Sequence, residues 1–117
     1  MTLKNCYDKI GSDYEAAVGR MGGSEKMLAK FAKRFPTDKT FDQLVEAYEN
    51  KDFQTAFRMA HTLKGLCLNL GLDRLEKSSA ALTEALRDHV ADNAGELMEK
   101  VRKDYETTLA AFKEVDE

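Results

Sequence analysis

The chain contains no tryptophan, a single proline and only two cysteines in 117 residues. With one helix-breaking residue in the whole chain, long stretches are free to run as helices joined by short connections. Cys6 and Cys67 lie far apart and show no metal-ligand spacing, so neither a zinc site nor a disulfide framework is indicated. No apolar run approaches the roughly 20 residues that a membrane-spanning helix needs. No leader with a charged start and an apolar middle is visible either, so the expectation is a cytoplasmic protein. Charge of neither sign dominates, with 18 basic against 21 acidic side chains and a net charge of −3. Without a basic stripe interleaved with aromatics there is no electrostatic footprint for nucleic acid. A Gly-x-x-x-x-Gly-Lys-Ser/Thr phosphate loop and the kinase signatures are also missing, which argues against nucleotide binding and intrinsic kinase activity.

What the chain does have is helical patterning from end to end. Hydrophobic residues make up 43% and charged residues 33%, the balance of a folded domain rather than a disordered one. Residues 2 to 10 read as a short helix with Leu3, Cys6, Tyr7 and Ile10 on one side. Ser12 to Glu15 has the Ser-x-x-Glu form of a capping box opening a second helix, which Gly22-Gly23 ends. Ser24 caps a third, with Met27, Leu28, Phe31 and Phe35 as its apolar stripe and Lys26, Lys30, Lys33 and Arg34 as a solvated side. Pro36 stops it, and Thr37 or Asp38 starts another that turns Phe41, Leu44, Val45 and Tyr48 inward. After the turn Asn50-Lys51-Asp52 comes a helix over about 53–70, closed by Gly71. Asp73 with Glu76 opens the next, with Leu75, Ser79, Leu82 and Leu86 inside, ending near His89 or Val90. Asp92 or Asn93 caps the last, whose stripe is Leu97, Val101, Tyr105, Leu109 and Phe112 before an acidic, frayed end at Glu114 to Glu117. The expected architecture is all-α, an antiparallel up-down four-helix bundle with short N-terminal helices. Residues 1–117 form one domain of ordinary size.

The helix over 53–70 carries the chemistry. Phe53, Ala56, Ala60, Leu63, Cys67 and Leu70 recur at steps of three and four and form a buried seam, with Cys67 as a small hydrophobe in it. At about 100° per residue, His61 falls a quarter turn off that seam, at its rim. Gln54, Phe57, Arg58, Lys64, Gly65 and Leu68 lie within about 60° of it. A glycine inside a strongly patterned helix costs about 1 kcal/mol against alanine, so Gly65 suggests that something approaches the backbone there. A nucleophile, a gap and a cation side by side suit a phosphoryl group. The bland alternatives are a hydrogen-bonded boundary histidine and a solvated lysine.

The run His61-Thr62-Leu63-Lys64-Gly65, followed by Asn69, Gly71 and Leu75, resembles the histidine-containing phosphotransfer (HPt) domain, whose pattern is a His-x-x-Lys-Gly core with a Gly near the helix end and a Leu soon after. The flanks match as well: Gly22-Gly23-Ser24 opening a helix, a second helix rich in Leu and Glu, and Asn50-Lys51-Asp52 leading into the His helix. The resemblance spans roughly residues 12 to 113. It implies a phosphocarrier of a two-component phosphorelay rather than an enzyme. His61 would accept a phosphoryl group from a receiver-domain aspartate and pass it to another. Lys64 would offset its charge and Gly65 would leave it room, while Gln54, Phe57, Arg58 and Leu68 would meet the partner. The implied partners are receiver domains of response regulators, which bring the Mg²⁺, and a hybrid histidine kinase; the chain itself needs no cofactor and is expected to be a monomer. Some family members place a glutamine on the following helix to hydrogen-bond the active histidine. Counted without gaps, Thr83 stands there, about 80° off the Leu75/Leu82 seam and at a groove edge, as a shorter orienting group. Leu68 and Leu72 are bulkier than the small residues common at their places. Two other functions are weighed against this. One is a non-catalytic helical-bundle interaction or scaffold domain. The other is a metal-binding bundle, disfavoured because Cys67 points about 120° away from His61 and no Glu-x-x-His pair appears.

Overall fold

The computed structural model describes residues 1–89 and 94–116. Over these residues the chain is all α, with no strand: α1 (Leu3–Lys9), α2 (Tyr14–Arg20), α3 (Glu25–Arg34), a 3-10 turn at Phe35–Thr37, α4 (Thr40–Glu49), α5 (Phe53–Leu70), α6 (Asp73–Ala85) and α7 (Ala94–Lys113). No helix among them is long and apolar enough to cross a membrane. Each long helix packs on the next, α4 on α5, α5 on α6 and α6 on α7, while α1 lies against α7 and α2 and α3 touch α5. This helical bundle is the all-α class expected from periodicity. The expected terminus of α6 at Val90 and the expected caps of α7 at Asp92 or Asn93 lie outside the described residues.

The helix ends follow from local chemistry, with some departures. Ser24 and Asp52 cap α3 and α5 as expected, accepting from the backbone N–H groups of Met27 at 3.0 Å and Thr55 at 3.2 Å. The Ser12–Glu15 capping box does not form. Asp13 caps α2 instead by accepting from the Ala16 N–H at 3.1 Å. Ser12 Oγ is spent across the fold, accepting from the Asp73 N–H at 3.3 Å at the start of α6. Pro36 sits in the 3-10 turn and delays α4 to Thr40, whose N–H donates to Asp38 Oδ1 at 2.8 Å. The α6 helix stops at Ala85, short of the expected His89. Beyond it the chain tightens into three-residue turns, Arg87 N–H to the Glu84 carbonyl at 3.2 Å and His89 N–H to the Leu86 carbonyl at 2.8 Å.

The core is the seam of α5 with facing residues from every other helix. Ala56, Ala60, Leu63, Cys67 and Leu70 are buried against Leu44 of α4, Leu75 and Leu82 of α6 and Val101 of α7. Phe41 stacks on Tyr105 with ring centroids 4.0 Å apart, bridging α4 and α7. The Tyr7 hydroxyl donates to the Leu70 carbonyl at 2.6 Å, tying α1 to the end of α5. Two expected stripes rotate. On α3 only Leu28 and Ala32 are buried, with Phe35 just beyond, while Met27 and Phe31 are exposed because α3 lies on the outside of the bundle. On α7 the buried face is Met98, Val101, Tyr105, Thr108 and Phe112, with Leu97 and Leu109 at its edges. That face also takes in Asp104, whose buried carboxylate accepts from the exposed Lys100 Nζ at 2.8 and 2.6 Å and so keeps a counter-charge at the surface. As far as Asp116 the acidic end is tied back where fraying was expected: Glu114 pairs with Lys9 at 2.9 Å and the Asp116 N–H donates to the Met1 carbonyl at 2.9 Å, while Glu117 lies outside the described residues.

Both cysteines are free and fully buried. Burial, with Glu114 adding to it and Lys9 opposing it, pushes the Cys6 thiol up to about 11; burial, with Glu76 adding, drives Cys67 up further still. The thiolate is the reactive form. Iodoacetamide at about pH 8 is therefore expected to leave both cysteines untouched in the native protein and to alkylate both in denaturant. Mass spectrometry reads the count, and rapid native labelling of Cys67 would mean that the α5 seam is open.

Candidate functional site

The site is built on α5, which runs unbroken for 18 residues from the Asp52 cap to Gly71. Its seam is buried and holds the helix by one face. The rest of its surface is thereby fixed in direction, and His61 projects into solvent. Around it, Gln54 and Arg58 are exposed, Phe57 and Lys64 are half-buried, and Leu68 is 48% exposed, an unusually open position for a leucine. The predicted face is thus assembled as one surface strip along α5. Arg58 Nη2 donates to Thr55 Oγ1 at 3.3 Å, so this guanidinium leans toward the helix start.

Gly65 lies in the same strip. A Cβ built on it would meet nothing within 4 Å, so the glycine borders open space rather than a packed neighbour. No intramolecular contact accounts for it. Gly65→Ala is expected to stabilise the protein by about 1 kcal/mol through helix propensity alone, raising the thermal midpoint by about 3–6 °C. A lowered midpoint would mean that the backbone at 65 is held for a reason internal to the fold.

Thr83 is not at the groove edge. It is 1% exposed, and its hydroxyl donates to the Ser79 carbonyl at 2.7 Å within α6. Its proton is therefore already used by its own helix, because α6 is rotated so that Ser78, Ser79 and Thr83 share the inner face with Leu75 and Leu82.

Periodicity along α5 could not reveal what α6 contributes. Just before and after the end of α6, Glu84 and Arg87 form a two-pronged pair, Arg87 Nη2 to Oε1 at 2.6 Å and Arg87 Nε to Oε2 at 3.0 Å. The same guanidinium lies over the Phe57 ring, 5.5 Å from its centroid. The His89 ring meets Phe57 edge-on at 5.7 Å. Hydrogen bonding from Arg87 holds the Glu84 carboxyl below the usual carboxylate range; desolvation opposes it, and the charges of Arg87 and then Lys64 add smaller lowering effects. Glu84-x-x-Arg87 is legible in the sequence as a helix-surface pair. That it reaches α5 is not.

A cleft of about 430 Å³ opens between α2, α3 and α5, lined by Phe31, Phe35, Leu66 and Leu70 with Arg20 and Arg34 at its sides. It contains none of the predicted site residues. Arg20 is engaged there, donating from Nη1 to the Leu68 carbonyl. Among the described residues no cluster of three or more His, Cys, Asp or Glu could hold a metal ion.

A family model described as Hpt domain matches residues 26–111, most of the chain. No curated protein and no solved structure matches the chain.

Proposed function

The chain belongs to the Hpt domain family, a family of histidine phosphotransfer modules, and from that membership we propose that it is a phosphocarrier of a two-component phosphorelay with His61 as its phosphoryl acceptor. One observation carries this assignment: His61 stands in solvent on a helix whose neighbouring seam residues are buried, with Gly65 bordering open space one turn along. The two arrangements that would defeat it, a ring sealed in the core or a filled space at Gly65, are both absent.

The transfer needs little machinery on this side. A neutral imidazole carries a lone pair on one ring nitrogen. That nitrogen attacks the phosphorus of an aspartyl phosphate; the P–N bond forms as the acyl P–O bond breaks, and the aspartate leaves as a carboxylate. Onward transfer is the same exchange in the other direction. Phosphoryl transfer depends chiefly on alignment and charge stabilisation. Lys64, one turn from His61, supplies a cation for the phosphoryl oxygens, and Gly65 leaves them room. The receiver domain supplies Mg²⁺ and the acidic residues around it. Phe57 and Leu68, flanking His61 with Gln54 and Arg58, form the surface that meets the partner as the 1–117 unit docks as a monomer. Thr83 takes no part in orienting the imidazole in this scheme, since its hydroxyl proton is bonded within α6.

Incubation with a panel of receiver domains carrying labelled phosphate tests the assignment. Acid-labile label on this chain in at least one pairing is the expected result. No label in any pairing would leave a scaffold bundle as the better account.

A further inference from the structure

The end of α6 sets an ion pair against the His61 face. Phe57 lies one turn before His61 on α5, and Lys64 lies one turn after it. The Glu84–Arg87 pair reaches the first of these, with the Arg87 guanidinium 5.5 Å from the Phe57 ring centroid, and the Lys64 charge acts weakly on the Glu84 carboxylate. Arg87 therefore stands beside the turn of α5 that leads into His61. Glu84 uses both carboxylate oxygens on Arg87, as a phosphoryl group would use two of its own. Glu84 and Arg87 are both solvent-exposed, so the partners can exchange.

We propose that Glu84 is a built-in competitor for the phosphoryl group: it occupies Arg87 while His61 is bare, and must yield this cation when His61 is phosphorylated. This rests on the reading of His61 as acceptor. Glu84 stabilises the empty form and opposes the loaded one, so it lowers the phosphoryl occupancy of His61 at equilibrium and keeps the group ready to leave. Arg87 is the cation released, with Phe57 as the platform that holds it next to the site. Glu84 is a positioning residue that never touches phosphorus.

Phosphoramidate provides a partner-free test. Its P–N bond breaks as the His61 N–P bond forms, and ammonia leaves. ³¹P NMR reads the loaded fraction of the intact chain once it has become constant. Glu84→Gln is expected to raise the ratio of loaded to bare protein about two- to fivefold, the range set by exposed ion pairs. In an Arg87→Met background the same change is expected to have less than about half that effect. Circular dichroism confirms that each variant is folded. An unchanged or lower ratio in Glu84→Gln overturns the proposal. So does a Glu84→Gln effect that persists undiminished without Arg87, which would show plain through-space repulsion. Should the unsubstituted chain take up no phosphoryl group at His61, the acceptor assignment itself fails and this inference fails with it; loading that is indifferent to Glu84 removes the inference alone.

Discussion

His61→Gln is expected to reduce acid-labile phosphorylation from every receiver domain to background while leaving the thermal midpoint within about 2 °C of the parent. The two halves of that result have separate causes. Chemically, an amide nitrogen has no free lone pair to offer phosphorus, so the acceptor is removed outright. Structurally, His61 is exposed and the seam beside it is closed by Ala60 and Leu63, neither of which changes. Surface substitutions away from caps and networks stay within about 0.5 kcal/mol. In a chain of this length that is a shift of a few degrees at most. Label that survives in His61→Gln would point to His89, the chain's other histidine, also exposed and in ring contact with Phe57. His89→Gln, by contrast, is expected to keep its label.

Gly71→Ala is expected to be the most destabilising of the changes considered, at about 2–4 kcal/mol. Gly71 ends α5 in the left-handed region with φ 70°, and its N–H and that of Leu72 close back on the Leu68 and Cys67 carbonyls at 3.3 and 2.9 Å. An L side chain there costs about 1 kcal/mol in backbone strain. A second cost is steric. A Cβ at 71 would stand 2.9 Å from the Ala17 Cβ and 3.4 Å from its Cα, on a buried residue of α2 that has no flexible end to move aside. Overpacking of this kind adds about 1–3 kcal/mol. A drop in thermal midpoint on the order of 10 °C is the readout. Gly23→Ala separates the two costs. Gly23 also has a positive φ, 85°, but its Cβ would meet nothing within 4 Å, so only the backbone share is expected, about 1 kcal/mol. Equal losses at the two sites would mean that α2 is not pressed against the end of α5.

Much of this arrangement was legible before any coordinates. The α5 seam was readable because burial on a helix repeats every three to four residues, and Ala56, Ala60, Leu63, Cys67 and Leu70 are all buried in that phase. The caps at Ser24, Asp52 and Gly71 were readable because each acts on its own nearest neighbours in the chain. The stripe of α3 was only partly readable. Met27 and Phe31 are apolar and in phase, yet no neighbouring helix covers them. Composition does not say how wide a face the rest of the fold will bury. Ser12 and Glu15 had the form of a capping box, but Ser12 found a partner in Asp73, far along the chain. Thr83 was placed by an angle measured on an ideal helix; the rotation of α6 against α5 and α7 carried it inside.

On its own, the sequence determined the helical class, the phase and length of α5, and the exposure of His61 beside Lys64 and Gly65, because those properties depend on spacing within one helix. Only the tertiary structure decided what stands next to that face. It pressed Ala17 onto Gly71, turned Thr83 inward, and laid Arg87, with Glu84 paired to it, and His89 against Phe57. These are meetings between separate helices. They depend on the rotation of each helix about its own axis and on where α6 ends, which the spacing of residues along one helix leaves open.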